Sequence, residues 1–397
     1  HCASTDTLDF LDLGFAPPSN AYLGADDLLA PETTFPLKLF VCRNCRLVQT
    51  VDLSRADALF TEDYAYFSST SKGWLAHAKR YCDAMTERFG LNENSFVIEI
   101  ASNDGYLLRN FVEDGVPCLG IEPTHGTAEA ARKLNIPVRE AFFDATMAQD
   151  LPKADIIAGN NVFAHVPDIN DFTQGMATCL KPQGVITLEF PHLLNLVELR
   201  QFDTVYHEHF SYLSLMAVEK ILSAAGLRVF DIEELPTHGG SLRIFACLKT
   251  ADHPEGEAVA AVRSKEAAAG MDKDSYYTAF QTEAEAVKDA FVSFLLQAKK
   301  DGLSVAGYGA AAKGNTLMNF AGVRGDLVSF VCDAAESKIG KYLPGSHIPI
   351  LPPSALRENT PDLLVIFPWN IAPEVVESLQ DIKGLRKFVF IPEQREL

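Results

Sequence analysis

The chain has 397 residues, 47% hydrophobic and 22% charged, with a formal net charge of −19. That length allows two or three domains with sizeable cores, and the acidic balance argues against nucleic acid or an anionic membrane as partner. No apolar run is long enough for a transmembrane helix and no secretion signal is visible, so a cytoplasmic protein is expected.

Residues 1–60 read as a small separate module. Cys42-Arg43-Asn44-Cys45 is a C-x-x-C knuckle between strand-like runs at 37–41 and 47–51, in a chain whose eight cysteines are otherwise scattered. In a cytosolic protein that pair suggests metal before disulfide. Structural zinc takes four thiolate or imidazole ligands, commonly from two knuckles. Cys2 is expected to join Cys42 and Cys45, with the fourth ligand upstream of residue 1; a free or redox-active pair is the alternative. Residues 61–95 then join module to core. An aromatic-hydroxyl loop at 63–71 leads into an amphipathic helix at 74–89, with Trp74, Ala78, Tyr81 and Met85 on one face. The loop suits either a lid or plain packing.

The stretch from Val97 to Leu108 organises the rest. An apolar strand (Val97, Ile98, Ile100) meets the polar turn Ala101-Ser102-Asn103-Asp104-Gly105, and a helical pattern opens at Tyr106. Such a unit places ligands at the carboxyl end of a parallel sheet. With no G-x-G-x-x-G and no Walker lysine, a dinucleotide or triphosphate cradle is not indicated at this turn. The next strand, 118–122, ends in Glu122, placed to accept ribose hydroxyls. Glu99, Gly105 and Glu122 resemble the S-adenosylmethionine site of Rossmann-like methyltransferases, with Ala101 standing where the pattern has its first glycine. The other reading is an ordinary strand–helix junction.

Strand-like runs at 96–100, 118–122, 155–158, 185–190 and 227–232 alternate with amphipathic stretches, which predicts a doubly wound parallel sheet. The third run leads to Asn160, Asn161 and His165 at the same carboxyl edge as Glu122. Tyr206-His207-Glu208-His209-Phe210-Ser211-Tyr212 packs three ionisable groups in a row, costly to bury without partners. Zinc is one reading, although H-E-H lacks the helical spacing of H-E-x-x-H; a general base beside a carboxylate is the better one. Thr237-His238-Gly239-Gly240-Ser241-Leu242-Arg243 suits close approach of a ligand, or a simple hairpin turn.

Residues 250–300 read as one or two linking helices, and a second α/β unit follows. Gly307-Tyr308-Gly309, with Lys313 nearby, would let backbone amides approach a phosphate at a helix start. Asp333 ends the next strand, where an acid could meet a ribose. Together these suggest a nucleotide diphosphate; a degenerate Rossmann-like domain that only packs is the alternative.

The pieces in this order resemble the sugar C-methyltransferases of deoxysugar biosynthesis, the 3-C-methyltransferases of the tetronitrose and mycarose type. The likeness rests on the C-x-x-C module, E-I-A-S-N-D-G-Y-L-L, N-N-V-F-A-H-V-P-D, Y-H-E-H-F-S-Y-L-S, H-G-G-S-L-R and G-Y-G-A-A-A-K-G-N, and spans essentially the whole chain. It implies a zinc-binding module (1–60), a Rossmann-like S-adenosylmethionine methyltransferase domain (61–250, with 61–95 as lid and linking helix), and linking helices with a C-terminal Rossmann-like nucleotide-sugar-binding domain (251–397). It further implies a nucleotide-linked 4-ketosugar, dTDP-linked by expectation, as substrate of a monomeric enzyme.

By the same resemblance His209 would be the base, with Tyr206 and Glu208 beside it, His165 near the sugar, and Tyr64 or Tyr66 closing over the site. The methyl donor would lie against Glu99, Ala101, Asn103, Gly105, Tyr106, Leu107, Glu122, Asn160 and Asn161. The sugar nucleotide would lie against His207, His238, Gly239, Ser241, Gly307, Gly309, Lys313, Asn315 and Asp333. Cys2, Cys42 and Cys45 would be structural zinc ligands. The rival activities are O- or N-methylation of a nucleotide sugar, an NAD(P)-dependent oxidoreductase or epimerase, and a non-catalytic scaffold.

Overall fold

The computed structural model describes residues 1–51, 68–70 and 72–397. Tyr64 and Tyr66 lie outside these residues. The strands form three sheets.

The central sheet has seven strands in the order Leu227–Leu235, Ser241–Leu248, Leu180–Pro191, Ala154–Asn160, Val97–Ile100, Cys118–Ile121 and Val138–Arg139. The last five run parallel. Their continuous apolar runs are what a sheet covered on both faces requires. Alternation sends Ile98 and Ile100 to one core with Ile157 and Ile186, and Val97 to the other with Ile156 and Val185.

The alternation of strands and helices predicts a doubly wound parallel sheet, but the sheet is antiparallel at one end. Leu227–Leu235 pairs antiparallel with Ser241–Leu248, which pairs antiparallel with Leu180–Pro191. The connection after Leu235 is too short for a crossover, so the chain must turn back on itself. Thr237–Gly239 is therefore a hairpin turn, and it stands at the same carboxyl edge as the ends of the parallel strands.

The N-terminal sheet is antiparallel: Thr7–Ala16, Phe35–Cys42, Val48–Thr50 and, from the middle of the chain, Ser211–Tyr212. Val48 pairs with Tyr212 and Gln49 with Ser211, so the Tyr206–His209 segment runs directly into the module's sheet. The C-terminal sheet orders Ile350–Leu351, Val331–Cys332, Val305–Tyr308, Leu363–Ile366, Arg386–Val389 and Arg395–Glu396, parallel except at its last strand.

The linking region forms three helices, Glu257–Ala269, Asp274–Thr278 and Phe280–Lys300. The first ends on left-handed Gly270, a conformation glycine adopts at low cost. Phe10 of the N-terminal sheet stacks on Phe280 at 5.1 Å, and Phe291 meets Phe390 of the C-terminal unit at 4.8 Å. Helix Lys72–Phe89 buries Ala78, Tyr81 and Met85 as its periodicity predicts. Among the described residues, no helix is long and apolar enough to cross a membrane.

Candidate active site

The turn after Val97–Ile100 is built from left-handed residues: Ala101 at φ 57°, Asn103 at 50° and Gly105 at 78°. At Gly105 an added Cβ would stand 2.3 Å from Ile136 Cδ1, so its smallness is a packing requirement as well as a conformational one. The turn is latched to the next strand through Glu122, whose carboxylate accepts from the Asn103 amide at 2.9 Å and the Thr124 amide at 3.0 Å. Asn160 Oδ1 and both amide atoms of Asn161 are buried and find no partner among the described residues. All four residues of this edge, Ala101, Asn103, Glu122 and Asn161, open onto one cavity of about 650 Å³.

The cavity continues past Tyr106 and Trp74 to His165, Tyr206, Glu208, His209 and His238, and ends against Lys313, Lys338 and Asn370 of the C-terminal unit. It therefore joins the edge of the central sheet to the start of helix Ala312–Phe320.

Its centre is a ring cluster. His209 lies with its centroid 4.0 Å from Tyr206 and 4.6 Å from His165, the latter edge-on at 78°. Burial, reinforced by His165 and His238, holds His209 well below the usual imidazole range, while a backbone hydrogen bond to Thr204 favours a proton on its ring. Burial lowers His165 to about 4 against a supporting backbone bond at Glu208, and burial with Lys313 nearby lowers His238 to about 4. All three imidazoles are neutral at physiological pH. Glu208 moves the other way: burial raises it to about 7, opposed by a 2.7 Å hydrogen bond donated by Asn20 Nδ2.

At the far end, Lys313 Nζ donates to Asn370 Oδ1 at 2.8 Å and lies 4.3 Å over the Trp369 ring. Burial lowers it, and Asp203 opposes this. Asp203 is itself raised by burial to about 6 and accepts from Trp369 Nε1 at 2.8 Å. Lys338 Nζ donates to the Ala310 carbonyl at 3.0 Å.

The hairpin turn is carried by a buried ionic group. Glu189, fully buried, accepts from Arg243 at 2.9 Å and Thr237 at 3.0 Å, and lies 3.0 Å from His77 Nε2. His77 stacks on Trp74 at 4.9 Å, and Trp74 meets His238 edge-on at 5.4 Å. Glu189 thus sets the wall without lining it.

Several residues expected in the site stand elsewhere. Glu99 and Leu107 are buried behind the turn; burial, with Glu122 and Asp104, raises Glu99 well above the usual carboxylate range. His207 points away from the cavity, 3.3 Å from the Phe35 carbonyl and against the Phe35 ring. Gly239 is small because a Cβ would meet Trp369 at 2.3 Å, and Ser241 Oγ donates to the Thr237 carbonyl. Gly307 and Gly309 make room for Phe367 and Pro368, which a Cβ would meet at 2.5 and 2.3 Å, so packing alone accounts for their smallness. Asn315 is buried and donates to the Ser19 carbonyl. Asp333 accepts from the Ala335 amide and pairs with Lys338, so its carboxylate is engaged within its own loop. Sequence reasoning did not single out Asn20, Trp74, Asp203, Lys338 or Asn370 for the site, because their partners lie far off in the chain.

At the N-terminal module the sulfurs of Cys2, Cys42 and Cys45 all lie within 4.8 Å of one another, and Cys2 and Cys42 stand 3.5 Å apart. All eight cysteines are free. Tetrahedral zinc with Zn–S near ~2.3 Å sets sulfurs about 3.8 Å apart, so these three suit zinc and do not form a disulfide.

Three protein families match the chain: "Putative zinc binding domain" over residues 1–60, "Methyltransferase domain" over 74–232 and "C-methyltransferase C-terminal domain" over 236–392. The chain is 34% identical to C-methyltransferase NovU of Streptomyces niveus, covering 99% of this chain and 95% of the relative. An uncharacterized methyltransferase of Mycobacterium leprae is 31% identical over 98 residues, 24% of this chain and 36% of its own length. Among solved structures, magnesium protoporphyrin IX methyltransferase from Synechocystis with bound SAH is 16% identical with a TM-score of 0.36, covering 44% of this chain and 83% of that one.

Proposed function

Because the chain belongs to the S-adenosylmethionine-dependent C-methyltransferases, we propose that it methylates a nucleotide-linked 4-keto-deoxysugar at a carbon beside the ketone, C3 by resemblance. The observation that carries this reading is the neutral His209 held against Tyr206 and His165 in a cavity that runs from the Glu122 edge to Lys313.

The donor's place is supported by the residues at that edge. Glu122 suits ribose hydroxyls, and Asn160 Oδ1 and both side-chain amide atoms of Asn161 are buried without partners among the described residues. Ala101 and Asn103 supply the turn that lets backbone approach the donor. S-adenosylmethionine supplies an electrophilic methyl group on a sulfonium. Cys2, Cys42 and Cys45 would hold zinc that keeps the N-terminal module folded.

The proton chemistry belongs to this chain. A C–H beside a ketone is acidified because the carbanion delocalises as an enolate. Thr204 accepting from one ring nitrogen of His209 leaves the other nitrogen's lone pair for that proton. His165, with its ring directed to the Glu208 backbone, presents an acceptor suited to a sugar hydroxyl. Tyr206 is then the O–H donor for the enolate oxygen. Enclosure by Trp74, Tyr106 and His238 keeps water from competing.

The nucleotide's diphosphate is assigned to the start of helix Ala312–Phe320, with Lys313 and Lys338 as counter-charges and no side chain capping the helix. This revises the G-x-G expectation: the cations do the work, and the glycines serve packing. The close contacts of Gly307 and Gly309 also weigh against a dinucleotide oxidoreductase. Methyl transfer to oxygen or nitrogen could draw on the same neutral base, so the position of the transferred label separates these readings.

The test is turnover with methyl-¹³C-S-adenosylmethionine and a dTDP-4-keto-6-deoxysugar, read by NMR. The expected product carries the label on a ring carbon next to the ketone; label on oxygen or nitrogen would contradict the proposal.

A further inference from the structure

One loop of the N-terminal module, Pro18–Leu23, reaches the catalytic cluster. Ser19 is buried, and its carbonyl accepts from Asn315 Nδ2 of helix Ala312–Phe320 at 3.1 Å. Tyr22 donates to the Ala310 carbonyl at 2.6 Å, and Leu23 exchanges both backbone hydrogen bonds with Tyr342. Within the loop the Ala21 amide donates to the Pro18 carbonyl at 3.0 Å. These anchors fix Asn20 between the C-terminal unit and the Tyr206–His209 segment. From there Asn20 Nδ2 donates to Glu208 Oε1 at 2.7 Å, across 188 positions of sequence, and both residues line the cavity.

We propose that Asn20 is a positioning residue of the methyl-transfer site: it aims the Glu208 carboxylate into the cavity and favours its ionised form, which makes the N-terminal module a working part of the active site. This rests on the reading of Glu208 as a member of that site. The physical argument is the asymmetry of burial. A carboxyl with almost no solvent contact takes up a proton unless a donor holds it as the anion, and an amide can donate but cannot itself become charged. The titratable groups around Glu208 are few. Tyr22 of the same loop feels Glu208 and Asp333. The His165 ring faces the Glu208 backbone. His209 follows it in sequence, Lys338 lies 5.4 Å over the Tyr22 ring and shares the Ala310 carbonyl with it, and Lys313 also lines the cavity. No cation pairs with the Glu208 carboxylate among the described residues. The carboxyl's ionisation therefore depends on one hydrogen bond.

The experiment compares wild type, Asn20→Ala and the isosteric Asn20→Asp, which removes the donor without removing bulk. Infrared titration of the protonated-carboxyl band, assigned with Glu208→Gln, reads Glu208 without substrate and so does not depend on which sugar is used. The expected result is a midpoint raised by about one pH unit or more in both variants. In turnover, kcat at pH 7 falls about fivefold or more, the acid limb of the profile moves up with the infrared midpoint, and KM for the sugar nucleotide changes little. An unmoved midpoint in a folded Asn20→Ala overturns the proposal, as does a wild-type pH profile. If the midpoint moves but wild type methylates no ketosugar carbon, the substrate reading fails and the Asn20–Glu208 coupling stands.

Discussion

His165 and His209 meet edge to face, with ring centroids 4.6 Å apart, and burial, reinforced by His165, keeps His209 from charging. Their approach follows from two backbone ties: the Phe210 amide donates to the Ala164 carbonyl at 2.8 Å, and the His209 amide to the Tyr206 carbonyl at 3.0 Å. A neutral imidazole is the form a base needs. His209→Asn should therefore lower kcat by roughly 10²- to 10⁴-fold, while calorimetry shows wild-type affinity for S-adenosylmethionine. A variant within threefold of wild type in kcat would remove His209 from the chemistry.

Neutral burial also has a stability cost in acid. His209 is held below its unfolded value, so the unfolded chain takes up a proton that the folded chain refuses. The folded state thus loses stability as pH falls below the unfolded value near 6.5. Denaturant midpoints of wild type and His209→Asn should diverge accordingly, the variant gaining stability relative to wild type as pH falls from 6.5 to 5. Parallel curves over that window would mean His209 charges normally in the folded protein.

Glu189 holds Arg243, His77 and Thr237 together with no exposure of its own side chain. Glu189→Gln leaves a guanidinium that is 6% exposed with only Glu233 to pair with among the described residues. A loss of roughly 3 kcal/mol is expected, read as a lowered thermal midpoint. KM for the sugar nucleotide should rise as well, because His238 and Trp74 lose their support. An unchanged midpoint would show that the group is dispensable.

The zinc knuckle lies just before strand Val48–Thr50, which pairs with Ser211–Tyr212 beyond the catalytic segment. Cys42→Ser should release bound zinc, measured by atomic emission, lower the thermal midpoint and depress kcat together. Full activity in a zinc-free variant would separate the module's metal from the site.

Much of this site is legible in short stretches of sequence. The turn from Ala101 to Gly105, Glu122 at its strand end, Asn160, Asn161 and His165 were expected at one sheet edge; of these Ala101, Asn103, Glu122, Asn160, Asn161 and His165 line the cavity, and His209, expected as a base, joins them there. What sequence could not convey is which neighbour claims a group. Gly309 has the spacing of a phosphate loop, yet Pro368 occupies the space beside it. Asp333 ends its strand as an acid should, yet Lys338 and its own loop engage it. His207 sits between two site residues, but the turn at His207–Glu208, closed by the His209 amide on the Tyr206 carbonyl, sends it away from the cavity, against Phe35. Asn20 carries no motif at all. Its role arises because the Ser19–Leu23 loop is pinned to residues some three hundred positions away.

The most direct test of the enolate account needs no methyl transfer. The protein is incubated in heavy water with a dTDP-4-keto-6-deoxysugar and S-adenosylhomocysteine, and the ring protons are followed by NMR. The account predicts loss of one proton beside the ketone in wild type and no loss in His209→Asn. Methyl transfer to carbon in the parallel reaction, with exchange undiminished in His209→Asn, would contradict it.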